Sequence, residues 1–410
     1  MDTLEPSLKK PKIITLGEAA SGGAASGGAA SGGAAPEQVI IEEAVSGGAA
    51  SGGAAPEQII IEEAVSGEAV SGGAASGGAT SGPVIIDIPN GNEQLFSTEY
   101  DKFLRVMSMG YDGKSKTEDG SSIIIFDDVI IMILFDGHGF CRTGIENTDE
   151  DISPIAYVVF LKKRFRECIT SILPTCDLTT EEGHMKLKDL MIDIFYQIDR
   201  ESTPFQAGST VSIVITSKLP SKENPEIRLS SVFELGDSPC IISDSEGIKH
   251  ATTNNEGHTL SNKKERDRIS ARAKIQQTIT GLYVRYCVKG FTHLSGPTRS
   301  IGHHGSDGCV ISCKPSHVIV KTLMKGPTKI ALSSDFITEG TYSLLVNNTP
   351  RLIISNCLKP NVQMGELIST VSTPEQLKLF MINKGDSFLF NGKRYGDNAL
   401  VVIVSINFDL

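Results

Sequence analysis

Two almost uninterrupted apolar runs, Ile123-Ile124-Ile125-Phe126 and Val129-Ile130-Ile131-Met132-Ile133-Leu134-Phe135, stand on either side of Asp127-Asp128. Runs with no polar face read as strands buried on both sides, and the short acidic break reads as a hairpin turn. Residues 155–172 and 184–199 follow with apolar side chains at helical spacing, for example Leu187, Leu190, Met191, Ile194, Phe195 and Ile198. They predict two amphipathic helices. Further strand-like runs occur at 210–216, 229–235, 240–242, 317–320, 329–333 and 400–406, and helices are expected at 262–276 and 374–382. Many strands with helices inserted in pairs, rather than one for one, predict a layered α+β fold of mostly antiparallel sheets.

Ordinary globular patterning begins only after Leu95. Before it the chain repeats Ser-Gly-Gly-Ala-Ala, and a larger unit, Pro36-Glu37-Gln38-Val39-Ile40-Ile41-Glu42-Glu43-Ala44-Val45, returns at 56–65 with one conservative change. Such a segment buries too little apolar surface to offset its ordering entropy. Residues 1–94 are therefore expected to form a disordered arm, and 95–410 the folded domain. The repeats read either as a tether carrying short strands that dock on a partner or as a solvated linker produced by repeat slippage, and composition favours the linker. The run Lys9-Lys10-Pro11-Lys12 is too short to count as a nuclear address.

Charge divides at the same boundary. Residues 1–90 hold eleven carboxylates against three lysines, most of the net charge of −11, and the remainder is close to neutral. No basic field is left to hold nucleic acid or an anionic membrane. The longest apolar stretch, 129–135, is too short to cross a bilayer. No hydrophobic signal segment leads the chain, and its eight cysteines do not form a disulfide framework. Cys309 and Cys313 lack a second pair at zinc-finger spacing and read as buried or idle thiols. The expectation is a soluble, monomeric, intracellular protein, cytoplasmic or nuclear, without nucleic-acid or membrane partners.

Four apolar runs end in, or lead into, acidic residues that a strand has little reason to carry: Asp136-Gly137-His138-Gly139, Gly236-Asp237-Ser238, Ser334-Asp335 and Asp397-Asn398. Taken singly, each reads as a turn or cap. Taken together, carboxylates at strand ends can converge on one rim of a sheet, where they repel unless hard divalent cations lie among the oxygens. Asp136 stands out, because one neighbouring glycine lets backbone approach an ion and His138 can handle a proton.

These runs resemble the ordered motifs of the type 2C, or PPM, family of metal-dependent protein phosphatases over about residues 100–408. Glu118-Asp119 resembles the early Glu-Asp pair and Asp136-Gly137-His138-Gly139 the DGHGG hallmark. Ala207-Gly208-Ser209-Thr210 resembles SGST, Gly236-Asp237-Ser238 the GDS turn, and Glu265-Arg266-Asp267-Arg268-Ile269 the ExxRI helix start. Thr298-Arg299-Ser300-Ile301-Gly302 is similar to SRALG, Ser334-Asp335 with Glu339 to SDGxxD, and Asp397-Asn398 to the final DN.

The resemblance implies a four-layer α-β-β-α sandwich of two antiparallel sheets flanked by helix pairs. It implies two Mg²⁺ or Mn²⁺ ions bridged by Asp136, with Glu118 of the Glu118-Asp119 pair and the Gly137 carbonyl on one, and Asp335 and Asp397 on the other. Asp237 and Glu339 would serve a weaker third ion. The implied reaction hydrolyses phosphoserine or phosphothreonine in a phosphorylated protein through a two-metal-activated water, with no covalent phosphoenzyme. His138 would protonate the leaving oxygen, a role that fits an imidazole whose pKa lies near working pH.

Departures from the pattern thin the phosphate surroundings. Lys114 stands where the family has arginine, losing the bidentate fork, and Phe140, Pro239, Phe336 and His303 replace other motif residues. Two readings follow: an active serine/threonine phosphatase, or a pseudophosphatase that binds phosphoproteins without turnover. Retention of the carboxylate set favours the enzyme.

Overall fold

The computed structural model describes residues 83–88, 95–101, 104–111, 118–139, 154–203, 205, 207–252, 257–278, 282–288, 291–302, 311–346, 349–355, 358–390, 393–394 and 398–407. The paired apolar runs form the expected hairpin, β4 (Gly120–Ile125) and β5 (Val129–Gly139), closed by Phe126 N–H donating to the Val129 carbonyl at 2.8 Å. Around it lies a seven-stranded antiparallel sheet. Its order is β1 (Val84–Ile88), β4, β5, β6 (Ala207–Ser217), β7 (Ile227–Leu235) and β14 (Ser316–Leu323), with the short β13 (Ile301–Gly302) also on β6.

A six-stranded antiparallel sheet faces it, in the order β2 (Leu95–Asp101), β3 (Leu104–Tyr111), β20 (Ala399–Asn407), β15 (Pro327–Ser333), β8 (Cys240–Asp244) and β9 (Gly247–Ala251). Smaller sheets are formed by β10 (Lys274–Gln277), β11 (Leu282–Val288) and β12 (Phe291–Ser295), by β16 (Gly340–Val346) with β17 (Thr349–Ser355), and by β18 (Leu389–Phe390) with β19 (Lys393–Arg394).

Strand alternation sorts the core into three apolar layers. Ile130, Met132 and Leu134 of β5 meet Ile330 and Leu332 of β15 and Val402 of β20 between the sheets. The opposite parity, Ile131, Ile133 and Phe135, faces α1 (Pro154–Ile172) and α2 (Glu181–Glu201). On the far side, Ala331, Val401 and Ile403 pack against α4 (Pro360–Thr370) and α5 (Pro374–Asp386). Because side chains alternate faces along a strand, a strand inside this sandwich must be apolar on both. The result is the expected α-β-β-α arrangement.

Three expectations need correction. The helix expected over 262–276 is α3 (Lys263–Ser270), followed by β10, because α3 itself buries only Glu265 and Ile269. The α4 helix was not anticipated. The folded body also reaches into the expected arm, since Val84–Ile88 pairs with β4 from Val84↔Ile125 to Ile88↔Ser121. Among the described residues, no helix is long and apolar enough to cross a membrane.

Phe165 of α1 ties both helices to the site-bearing strand, with ring centroids 5.6 Å from Phe135 on β5 and 4.9 Å from Phe195 on α2. All three rings are fully buried. Phe165→Ala is therefore expected to cost about 3–5 kcal/mol, read as a lowered urea midpoint at unchanged slope.

Candidate active site

β5 outruns its partner β4, so that its last residues, Asp136, Gly137 and His138, pair across β6 with Thr210, Ser209 and Gly208. β4 begins at Gly120 opposite Phe135, which sets the preceding Glu118-Asp119 alongside Asp136-Gly137. Close approach here requires glycine. A Cβ at position 137 would lie 2.6 Å from the Glu118 carbonyl oxygen and 2.8 Å from Val158 Cγ2.

The second sheet delivers its residues to the same end of the sandwich. Asp335, in the 3-10 turn after β15, donates its backbone N–H to Asp136 Oδ2 at 3.2 Å, joining positions 199 residues apart. Ser238 Oγ reaches the same oxygen at 3.4 Å and shares a 2.5 Å hydrogen bond with Thr210 Oγ1. Asp237 rides in that turn between Ser238 and Gly236. Gly236 has φ of +106°, and a Cβ there would stand 2.5 Å from the Thr210 side chain. Ser334 anchors the start of β20, accepting from Leu400 N–H on its Oγ at 3.1 Å and donating its own N–H to the Leu400 carbonyl at 3.0 Å.

Asp136, Gly137, Glu118, Asp119, Asp237 and Asp335 thus occupy one end of the fold. Glu339 closes the 3-10 turn four residues beyond Asp335, buried, with its N–H on the Phe336 carbonyl. Asp397 and Lys114 lie outside the described residues, as do Phe140, His303 and Cys309. Cys313 is buried, as a core thiol would be. Among the described residues, no group of three His, Cys, Asp or Glu is gathered tightly enough to hold a metal ion by itself. The chemistry of the set is nevertheless that of a hard-cation site, carboxylates and a glycine carbonyl with no sulfur or imidazole among the proposed ligands.

His138 is partly buried, with Nε2 3.0 Å from Ser300 Oγ. Ser300 Oγ also donates to the Ser209 carbonyl at 2.9 Å. With its one proton on that carbonyl, the hydroxyl accepts from the ring, which assigns His138 the Nε2–H tautomer. Burial lowers the imidazole pKa to about 4. That corrects the expectation of a ring titrating near working pH: at neutral pH His138 is uncharged here.

Ser238 and Ser300 carry contacts that sequence reasoning did not assign, although both stand inside the motif runs beside residues it did. The replacement of glycine by Phe336 is likewise a packing event. Its ring is buried and meets Phe388 edge-on at 5.3 Å, under the α4 and α5 layer.

The segment bearing Ser300 is held by Glu265 on α3. Glu265 accepts from Arg268 Nη2 at 2.7 Å, Thr298 Oγ1 at 2.9 Å and Arg299 Nε at 3.1 Å while only 3% exposed. Burial pushes its pKa up, but the hydrogen bonds from Arg299 and Arg268 outweigh that and bring it down from 4.5 to about 2. Two residues past Ser300, Gly302 has φ of +93° and donates its N–H to Asp199 Oδ1 at 2.8 Å.

Residues 158–339 match the family model of protein phosphatase 2C. In structure the chain is similar to a serine-threonine phosphatase 2C from Toxoplasma gondii, at a TM-score of 0.52 and 14% identity over 79% of this chain and 100% of that one. A second phosphatase, from a pathogenic strain of the same organism, aligns at a TM-score of 0.48 and 15% identity over 79% and 95% of the two chains. The first likeness shows the fold. No curated protein matches the chain.

A carboxylate with a depressed folded pKa stabilises above its unfolded value and loses that contribution as pH falls toward the folded one. Glu265→Gln is therefore expected to lower stability by up to about 3 kcal/mol above pH 5. In denaturant titrations at several pH values, the gap from the parent should shrink between pH 4.5 and about 2.

Proposed function

We propose that the chain, whose residues 158–339 match the protein phosphatase 2C model, is an active PPM-type protein serine/threonine phosphatase that hydrolyses phosphoserine and phosphothreonine in proteins with a water activated by bound metal ions. The observation that supports this most is the meeting of Asp136 Oδ2 with the Asp335 N–H at 3.2 Å, which brings acids from two different sheets to one spot.

Glu118, Asp136 and the Gly137 carbonyl would hold one Mg²⁺ or Mn²⁺, with Asp119 flanking them. Asp335 and Asp397, together with Asp136, would hold a second, and Asp237 with Glu339 a weaker third. When bound, the cations supply Lewis acidity that activates water and offsets the charge of the phosphoryl group.

The chain's own residues supply orientation and proton handling. Ser238 and the Asp335 backbone fix the Asp136 carboxylate, and Ser300 fixes His138. A phosphate dianion arriving beside the neutral His138 ring would raise its pKa, because nearby negative charge favours imidazolium. The ring would then be able to protonate the departing serine or threonine oxygen. Lys114 would attract the non-bridging oxygens as a point charge, without the two-pronged geometry of arginine.

The test is hydrolysis of a phosphothreonine peptide by the full chain with Mn²⁺ or Mg²⁺. Asp136→Asn and Asp335→Asn should each lower kcat/KM by about a hundredfold or more, and a chelator should abolish turnover. A parent that binds Mn²⁺ by calorimetry and hydrolyses nothing establishes the phosphoprotein-binding scaffold instead. Activity that survives the chelator or both substitutions rules out the metal-dependent reaction.

A further inference from the structure

His258 lies in the stretch between β9 and α3, buried, and both its ring and its backbone grip one residue of the turn that carries Asp237. The ring Nδ1 accepts from the Gly236 N–H at 3.0 Å, and the His258 backbone N–H donates to the Gly236 carbonyl at 3.0 Å. Gly236 is itself buried, and its left-handed φ of +106° is held by a bond on each side of its Cα. Because Nδ1 accepts, the ring proton sits on Nε2. Burial, followed by the Arg299 guanidinium, brings the imidazole pKa down to about 3, so the ring keeps its acceptor at neutral pH.

His258 is tied in turn to the other arm of the site. Its carbonyl accepts from the Thr298 N–H at 2.6 Å, two residues before Ser300, which holds His138. Beside it, the Gly257 carbonyl accepts from the Asn262 side-chain amide at 3.1 Å, while Asn262 caps α3 by accepting from the Lys264 N–H at 3.0 Å. Downstream of Gly236 the turn is fastened separately. Ser212 Oγ donates to the Ser238 carbonyl at 2.6 Å, and the Ser333 N–H donates to the Pro239 carbonyl at 3.1 Å. Asp237 thus lies between two anchor points, His258 supplying the upstream one, and Ser238 passes that position on to Asp136 Oδ2 at 3.4 Å.

We propose that His258 is a positioning residue of the candidate metal site. Its Nδ1 sets the Gly236 backbone so that the Asp237 carboxylate and the Ser238 hydroxyl reach the rim beside Asp136, in step with the Ser300 segment that holds His138. The proposal rests on the reading of Asp136 and Asp237 as cation ligands. A side chain without an acceptor at this place leaves the buried Gly236 N–H unpaired, and the turn relieves that only by moving. Losing a partner that orients metal ligands typically costs about tenfold to a hundredfold in metal affinity or activity.

Two amide variants separate the hydrogen bond from the bulk of the ring. His258→Asn carries an oxygen at about the place of Nδ1, whereas His258→Gln, closer to the ring in volume, carries it one bond further out. In calorimetric titration of the full chain with Mn²⁺, His258→Asn should stay within about threefold of the parent Kd and His258→Gln should weaken it by about tenfold or more. Deuterium exchange of the Gly236 amide, measured without metal, should follow the same order. Equal effects of the two variants, or the larger loss in His258→Asn, overturn the proposal, because a space-filling role ranks them by volume.

The unsubstituted chain gives a reading that no folding defect disturbs. With isotope-labelled histidine nitrogens, the His258 signal, identified by its loss in His258→Asn, should show a protonated Nε2 and a bare Nδ1. A proton on Nδ1 overturns the positioning role. A parent that binds no Mn²⁺ refutes the cation reading on which the proposal rests, whereas Mn²⁺ binding that the two variants leave alike refutes the positioning role alone.

Discussion

The apolar layer between the two sheets is the contact on which the candidate site depends. Met132 and Leu134 of β5 pack there against Leu332 of β15 and Leu400 and Val402 of β20, and this packing sets how the two sheets lie over one another. The ends of β5 and β15 consequently meet at one rim, where Asp136 finds the Asp335 backbone. Neighbouring strands are about 4.8 Å apart, so a displacement of one sheet by a single strand would separate these residues by more than a hydrogen bond can span.

The rim holds two kinds of charge. Glu265 is neutralised by the protein itself, through Arg268, Arg299 and Thr298, and so serves as a fixed support for the segment that carries Ser300. Asp136 Oδ2 accepts from the Asp335 backbone N–H and the Ser238 hydroxyl. Neutral donors offset carboxylate charge less than ionic partners do.

Local pattern was most legible where burial demands an unbroken run. The β4–β5 hairpin, the long strands β6, β7, β15 and β20, and the helices α1, α2 and α5 fall where periodicity placed them. Short elements were not legible in the same way. α4 spends Gly365 within its eleven residues and buries only Met364, Leu367 and Ile368, too brief a stripe to stand out. α3 carries a single apolar buried residue, Ile269. β1 was hidden because its five residues sit at the end of a low-complexity leader, and nothing local distinguishes Val84-Ile85-Ile86-Asp87 from the copies upstream. It differs from them at Ile88, which is buried in the inter-sheet layer and stands where the copies carry Glu43 and Glu63.

Sequence alone determined the layer architecture, because strands apolar on both faces and helices apolar on one can be satisfied in few ways, and it determined which acids stand at strand ends. It also marked a glycine beside Asp136 as room for backbone to approach an ion, without saying what presses on Gly137. Tertiary structure decided the rest: that Asp136 and Asp335 share a hydrogen bond, that Ser300 holds His138 in an environment that keeps its ring neutral, and that Phe336 fills core space. Each is set by groups far apart along the chain, whose proximity arises only when both sheets close over the same apolar layer.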